Sequence, residues 1–237
     1  MDREVILLGT LVNGIAIAAG SLLGTFLTGM RKEIHETVMQ GIGLVVLVIG
    51  LSMALEAQNF ISVLLSLVVG GILGGWLKVE DRLNQFGKWV ENRWKGESRF
   101  STGFVTGTLV YCIGPMAVLG GLDSGLRGDH EVLYTKSLLD GFTAILFSSS
   151  MGSGVLFSMI PVALYQGAIT LSAGWITQFL DKEALDQVIQ QVTATGGILI
   201  IGIGINLLGL GKIRVGDLLP AIPVAVAVAL VMIRFSI

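Results

Sequence analysis

Long stretches without a charged residue dominate this chain of 237 residues. The stretches that contain no Asp, Glu, Lys or Arg are 5–30, 37–55, 57–77, 100–122, 141–180, 187–211 and 218–233. A helix needs about 20 apolar residues to cross the ~30 Å hydrocarbon core of a bilayer. Only 14% of the residues are charged, against roughly 25% in soluble domains, and the mean hydropathy is +0.81. We therefore expect an all-α, polytopic helical membrane protein.

The stretch 141–180 is too long for a single crossing. It contains the helix-breaking sequence Met151-Gly152-Ser153-Gly154, which divides it into two expected helices at about 134–151 and 155–179. We expect the second of these to be bent at Pro161, because proline removes a backbone donor. The prediction is therefore eight membrane spans.

Lysine and arginine are unevenly distributed between the loops of this eight-span arrangement. Most of them lie on one side, which by the positive-inside rule places both termini outside. Many fall in 79–99, where Leu83, Phe86, Val90 and Trp94 recur at helical spacing. This pattern favours an amphipathic helix in the cytoplasmic membrane interface, although a helix that binds a partner protein would look similar.

Two regions about 150 residues apart resemble each other. Leu11–Gly20 matches Leu164–Gly174 with one inserted residue, and in both an amide precedes a glycine, at Asn13 and Gln166. The following helices match less closely and carry a polar residue deep in each. Those two residues are Ser52 and Asn206.

The number of spans between the two similar regions predicts their relative orientation in the bilayer. Five spans separate the starts of the two copies, so the copies would cross the bilayer in opposite directions. The expected organisation is a first repeat at 1–78, the interfacial helix at 79–99, a central helix pair at 100–154 and a second, inverted repeat at 155–237. Inverted three-helix repeats around a broken pair are typical of secondary transporters, although chance similarity between apolar helices is the alternative.

The central pair contains a proline in the middle of an apolar segment. Pro115 directly follows Gly114. Cys112, the single cysteine of the chain, lies three residues before Pro115. One interpretation is a proline kink satisfied by neighbouring helices. The other is a discontinuous helix whose exposed backbone groups bind an ion or a substrate, since free carbonyls at membrane depth need protein or a polar cavity around them. Both remain open from the sequence.

Asp140 is the main ionisable candidate, with Lys136 one helical turn earlier. Acidic residues inside membranes are costly and usually face a partner or a cavity. The pair is either an ordinary i, i+4 ion pair near the interface or a carboxylate that couples transport to protons or cations. Ser149 and Ser153 nearby either allow close helix packing or line a ligand-binding turn. The amides of Asn13 and Gln166 are expected to bond neighbouring helices or each other.

The remaining features exclude several classes of protein. No hydrolase, metalloprotease or nucleotide-binding motif is present, so we expect no enzyme, cofactor or metal site. The chain has no basic face for nucleic acid. Glycine pairs four residues apart permit close helix contacts, either within the chain or in a homo-oligomer. These pairs are Gly20/Gly24, Gly70/Gly74 and Gly71/Gly75.

Four segments together resemble a bacterial membrane family catalogued as domain of unknown function 554, the YdfK/YqgA-like proteins. The segments are Gly9–Gly14, Gly107–Ala117, Lys136–Gly141 and Tyr165–Gly167. The resemblance covers nearly the whole chain and is most specific in the Cys-x-Gly-Pro-Met stretch. It implies a location in the bacterial inner (plasma) membrane and supplies no substrate.

Two functions are consistent with these patterns. The first is a secondary transporter or channel-like permease for a small polar or ionic solute, with proton or sodium coupling at Asp140. The second is a membrane scaffold or regulatory subunit that transports nothing. The expected partners are the lipid bilayer and, for the first function, a small solute or ion.

Overall fold

The computed structural model describes residues 6–26, 32–85 and 100–235, and none of these residues lies in a strand. The all-α prediction is therefore confirmed. The helices are α1 (Leu8–Phe26), α2 (Lys32–Ala54), α3 (Phe60–Leu77), α4 (Phe100–Cys112), α5 (Pro115–Arg127), α6 (Glu131–Met151), α7 (Gly154–Phe157), α8 (Met159–Phe179), α9 (Lys182–Leu207), α10 (Val215–Leu218) and α11 (Ala221–Phe235). Residues 79–85 are also helical, and the rest of the predicted interfacial helix, 86–99, lies outside the described residues.

Six helical segments of the described chain are long and apolar enough to cross a membrane, compared with the eight spans predicted. They are Leu8–Phe26, Glu36–Ala54, Phe60–Leu77, Gly154–Phe179, Lys182–Leu207 and Val215–Phe235. The bent pair of α4 and α5 makes a seventh if it counts as one span. The predicted span 134–151 corresponds to α6, which is 21 residues long but is less apolar because it contains Lys136, Asp140 and several serines.

The predicted interruptions of the helices fall close to the glycines. Helix α6 ends at Met151, and Gly152 follows with φ 77°, a left-handed conformation that favours glycine. A second short break lies at Ser158, between α7 and α8. Pro161 lies in the first turn of α8, where its missing N–H removes no intrahelical hydrogen bond. The chain is therefore interrupted before Pro161, and not at this residue as we expected.

The helices form two compact units, each built from two separate parts of the chain. The first unit contains Met1–Lys32 and Gly87–Leu180, and the second contains Glu33–Phe86 and Asp181–Ile237. The first unit thus holds α1 and α4–α8, and the second holds the remaining helices. Each unit combines helices from two separate parts of the chain, and the four consecutive segments expected from the sequence stay a prediction.

In the first unit, α1 and α6 approach each other at glycines. A methyl group on Gly20 would collide with the carbonyl oxygen of Gly141, and one on Gly24 would collide with that of Ile145. Both glycines are buried. Contact between backbones at this distance requires small residues, as in other tightly packed membrane helices. The pair Gly20/Gly24 is therefore used within the chain.

In the second unit, α3 packs against α10 and α11 in the same way. A methyl group on Gly70 would collide with the backbone of Ala221, and one on Gly74 with the carbonyl oxygen of Asp217. Gly71 faces only the side chain of Leu218, and Gly75 has no neighbouring atom within 4 Å among the described residues. The face of α3 that carries Gly70 and Gly74 is thus occupied by the chain itself.

A polar cluster joins the helical residues 79–85 to α10 at one end of the second unit. The Glu80 carboxylate accepts a 2.7 Å hydrogen bond from the N–H of Gly216, and the N–H of Glu80 donates to Asp217 at 2.9 Å. Arg214 bonds both Asp217 (2.6 Å) and Asp81 (3.0 Å). These charged groups are partnered, so we assign the cluster a structural role.

The packing of α1 on α6 predicts that Gly20→Ala destabilises the protein. The added methyl group meets a backbone carbonyl that cannot turn aside, and overpacking of this kind costs about 1–3 kcal/mol. Gly14→Ala on the same helix is the matched control, since among the described residues no atom outside its own helix backbone and chain neighbours lies within 4 Å of the added methyl group. Thermal unfolding of the purified protein in detergent should show a lower Tm for the first variant only. Equal Tm values for the two variants would contradict this packing.

Candidate functional site

A buried ion pair lies on α6. The Lys136 ammonium is 2.8 Å from Oδ2 of Asp140 and 3.0 Å from Oδ1. The two side chains are one helical turn apart and only 8% and 9% exposed. For comparison, the i, i+4 pair Asp123–Arg127 on α5 has side chains that are 32% and 74% exposed, and its atoms are 3.8 Å apart. Lys136 and Asp140 are therefore shielded from water in a way that an ordinary surface pair is not.

Two amide side chains extend this ion pair into a network that involves three helices. Nδ2 of Asn13, on α1, donates to Oδ2 of Asp140 and to Oε1 of Gln166, both at 3.1 Å. Asn13 and Gln166, on α8, are both completely buried. The two residues that match in the predicted repeat are thus hydrogen-bonded to each other. We name Lys136, Asp140, Asn13 and Gln166 the amide–ion-pair network.

The network leaves polar atoms without a protein partner. Oδ1 of Asn13 can accept a hydrogen bond and Nε2 of Gln166 can donate one, and neither has a partner among the described residues. The hydroxyls of Thr10 and Thr170, one turn away on the same two helices, are in the same situation. A buried polar group without a partner costs about 1–3 kcal/mol, so each of these atoms requires an explanation, for which a bound water or polar ligand is a candidate.

The break in the central pair follows a helix that packs against α6, the helix of the ion pair. Helix α4 ends at Cys112, and α5 begins at Pro115 after Gly114, whose φ is 141° and ψ is 154°. The two helices are bent by 58°. Tyr111, in the last turn of α4, stacks on Phe147 of α6 with ring centroids 6.3 Å apart. The described backbone is thus a discontinuous helix whose last turn, with carbonyls that lack intrahelical donors, ends beside α6.

The other predicted site residues are not part of the network. Ser149 lies nine residues after Asp140, about 13.5 Å further along α6, and bonds the carbonyl of Leu146. Ser153 lies in the turn after α6 and makes no side-chain cap hydrogen bond. Ser52, in the second unit, bonds the carbonyl of Ile49 at 2.8 Å. A serine bonded to a nearby helix carbonyl needs no ligand.

Asn206, also in the second unit, has a local structural partner. Its side chain donates to the carbonyl of Ile213 at 2.7 Å and accepts from the N–H of the same residue at 2.8 Å. Both functions of the amide are used to hold the segment after α9 against the end of that helix. The matched position in the predicted repeat, Ser52, is exposed.

Two groups of residues were not singled out from the sequence. Thr10 and Thr170 lie three residues before Asn13 and four after Gln166, so helical periodicity of polar residues could have identified them. The second group is a set of amides and a serine in the second unit that line one cavity. They are Gln58, Asn59, Ser62, Gln187, Gln190 and Gln191. These residues come from opposite ends of the chain, so their spacing in the sequence carried no signal.

The geometry limits the chemistry that this site can perform. The described residues contain no group of three His, Cys, Asp or Glu side chains placed to hold a metal ion. The network provides one carboxylate, one ammonium and two amides, which are groups that bind a cation, a proton or a small polar molecule. These groups, buried among apolar helices, define a helical membrane protein with a charged internal site.

Comparisons with known proteins identify the family. The family described as "Protein of unknown function (DUF554)" matches residues 8–230, and the chain belongs to this family. It is similar to the uncharacterized membrane protein YdfK of Bacillus subtilis, with 30% identity over 97% of this chain and 98% of that protein. It is also similar to the uncharacterized protein YqgA of Escherichia coli, with 25% identity over 92% of this chain and 94% of the relative. No solved structure matches.

The backbone at Gly114 predicts a specific cost for Gly114→Ala. In the part of the chain that the structure describes, an added methyl group would meet no atom within 4 Å apart from its chain neighbours, so any loss of stability comes from the positive φ alone. Side chains avoid this conformation, and the expected cost is about 1–3 kcal/mol. Gly174→Ala is the control because its surroundings are equally open but its backbone is helical. Thermal unfolding should show a lower Tm for Gly114→Ala only, and no difference between the two variants would mean that α4 and α5 are continuous.

Proposed function

We propose that this protein is a secondary transporter or channel-like permease for a small polar or ionic solute, with proton or sodium coupling at Asp140. We also propose that it is a multi-pass protein of the bacterial inner (plasma) membrane. The observation that carries the proposal is the amide–ion-pair network, a charged and incompletely bonded site inside an apolar unit. The proposal assigns the chain no enzymatic step and no cofactor.

The energetics of the ion pair favour a functional role. Removing two charges from water costs several kcal/mol for each ion, and their attraction often does no more than offset this cost. A pair of well-packed apolar residues at Lys136 and Asp140 would serve stability as well. Ionisable residues retained inside membrane helices are therefore functional candidates by default, usually in ion or proton pathways.

The arrangement of donors and acceptors suggests how a solute and an ion could share the site. Asp140 is neutralised by Lys136 in the present arrangement. A proton or a sodium ion bound to Asp140 would release the Lys136 ammonium, whose donors could then bind a polar group of the solute. The free acceptor of Asn13 and the free donor of Gln166 would orient that solute. Ion binding and solute binding are coupled in this way through one carboxylate.

The broken helix supports the same proposal. In secondary transporters, the ends of discontinuous helices bind ions and substrates with backbone groups. The last carbonyls of α4 carry partial negative charge, and this end of α4 packs against the helix of Asp140, so the carbonyls could contribute ligands to a bound cation. Gly114 gives the chain the conformation that separates the two half-helices.

The distribution of helices between the units supports an inverted repeat. The first unit contains the first helix of each predicted copy, α1 and α8. The second unit contains the later helices of both copies, including α2 and α9. In both copies, the first helix lies in the first unit and the later helices lie in the second unit. Exchange of conformation between two such copies would turn an outward opening into an inward one, as in alternating access.

Neutralising both members of the ion pair should abolish transport and leave the fold intact. The protein would be reconstituted in liposomes that contain a pH-sensitive dye, and proton flux would be recorded as amino acids, monosaccharides and organic acids are added. A matched assay would replace the proton gradient with a sodium gradient. We expect Lys136→Met/Asp140→Asn to lose at least tenfold in flux, with a Tm close to that of the unmodified protein. Either single substitution should lower stability by about 3–5 kcal/mol, because it leaves one buried charge unpaired.

The exposed pair of α5 provides the control. Asp123→Asn/Arg127→Met removes an i, i+4 pair of the same kind, and its effect on flux and Tm should be small because surface pairs contribute at most about 1 kcal/mol. Unchanged flux in Lys136→Met/Asp140→Asn would show that the network is only structural. Absence of flux in the unmodified protein with every solute and both gradients would count against transport and favour the scaffold or regulatory subunit.

A further inference from the structure

The second unit contains three cavities that share lining residues and differ in polarity. The first, of about 440 Å³, is lined by Lys182, Glu183, Asp186, Gln58, Gln187 and Gln190. The second, of about 240 Å³, shares these three glutamines and adds Asn59, Ser62, Gln191, Ala229 and Met232. The third, of about 410 Å³, shares Asn59, Ser62 and Met232 with the second and adds Ile61, Leu65, Ala227, Val228 and Val231. Because each cavity shares three lining residues with the next, we treat the three as one groove, here called the graded groove.

The polarity of the graded groove changes in one direction. Its first part carries charged side chains of both signs, its second part carries uncharged amides and a serine, and its third part carries mainly aliphatic side chains. This order, from charged through neutral polar to apolar, matches the order of groups along a phospholipid. The headgroup carries charges, the glycerol esters accept hydrogen bonds and the acyl chains are hydrocarbon.

The position of the groove in the helices agrees with a lipid. The groove lies at the start of α3, the start of α9 and the last turns of α11. All three are candidate membrane spans, and their ends lie where lipid headgroups meet water. The aliphatic part of the groove, at Leu65 and Val228, extends from these ends toward the middle of α3 and α11.

Free polar atoms in the groove indicate which headgroup fits. Ser62 bonds Gln191 at 2.8 Å, so these two side chains form a fixed wall. Oε1 of Gln190 is buried and has no hydrogen-bond partner among the described residues, so it requires a donor. Glu183 and Asp186 at the entrance attract a cation, and Lys182 beside them can bind a phosphate. An ammonium group that carries N–H donors satisfies both the acids and Gln190.

We propose that the graded groove is a binding site for an aminophospholipid of the phosphatidylethanolamine type. Its ammonium group binds at Glu183, Asp186 and Gln190, its phosphate binds at Lys182, and an acyl chain lies along Ala227 and Val228. Phosphatidylcholine has no N–H donor for Gln190, and phosphatidylglycerol has no cation for the two acids. The proposal does not rest on the transport function, because all of these residues belong to the second unit.

Native mass spectrometry of the full chain in detergent tests this site. The protein would be titrated with dioleoyl forms of phosphatidylethanolamine, phosphatidylcholine and phosphatidylglycerol. We expect the first lipid to bind about fivefold more tightly than the other two, an effect comparable to one good exposed ion pair. Glu183→Gln/Asp186→Asn should reduce this preference to nearly equal binding. Glu131→Gln, an exposed acid at the start of α6, is the control and should retain the preference.

A second variant tests the apolar part of the groove. Ala227 is exposed, so Ala227→Phe should fold normally and obstruct the acyl chain, with binding of phosphatidylethanolamine at least fivefold weaker. Ala168→Phe, on the exposed face of α8 in the first unit, should have no effect. Equal binding of the three lipids, or a preference for phosphatidylglycerol, would overturn the proposal. Equally tight binding of glycerophosphoethanolamine, the water-soluble headgroup, would show that the groove holds a soluble ligand and not a lipid.

Discussion

The close contact between α1 and α6 is the constraint on which the first unit depends. Gly20 and Gly24 allow the two backbones to touch, and this contact brings Asn13 within hydrogen-bond distance of Asp140. A larger residue at Gly20 would separate the helices and remove a ligand from the carboxylate. Helix packing and the polarity of the site are therefore not independent here. In a medium without water, the polar groups of one helix have to be satisfied by the next, and small residues determine how near that helix can come.

The two units handle polarity in different ways. In the first unit, Lys136 and Asp140 are buried and bonded to each other. One amide atom of Asn13 and one of Gln166 have no hydrogen-bond partner among the described residues. In the graded groove of the second unit, the charged side chains lie at one end, and the next part contains uncharged amides and a serine before the groove becomes apolar. An enclosed pair suits a small ion or solute that sheds its water. A graded surface suits a molecule that is itself amphiphilic and keeps its headgroup in water.

Sequence patterns predicted the local features of this fold better than its assembly. Charge-free stretches located the apolar helices, and glycine and proline located the breaks near Gly114 and Gly152. The likeness around Asn13 and Gln166 pointed to two residues that prove to be bonded. The division of the chain into two interleaved units was not predictable, because helices that are apolar on most sides carry little information about their neighbours.

The candidate site was likewise predictable in its local features and not in its assembly. Lys136 and Asp140 were recognisable from their spacing on one helix, but their burial depends on α1 and α8. Asn206 was matched with Ser52 as a polar residue deep in an apolar helix, yet it bonds the segment that follows its own helix. Side-chain type alone could not distinguish an amide that closes a turn from one that supports a carboxylate. The graded groove was missed because α3, α9 and α11 are far apart in the sequence.

The pairing of one ammonium with one carboxylate has a consequence for the response to voltage. Lys136 and Asp140 together carry no net charge when the site is empty. A proton or sodium ion added to Asp140 would leave the loaded site with one positive charge. A potential of 100 mV acts on one such charge with about 2.3 kcal/mol, if the charge moves across the whole membrane. In the transporter proposed above, the membrane potential would therefore act on the loaded site and not on the empty one. A negative cell interior would then favour inward movement of the loaded site and would not oppose the return of the empty site.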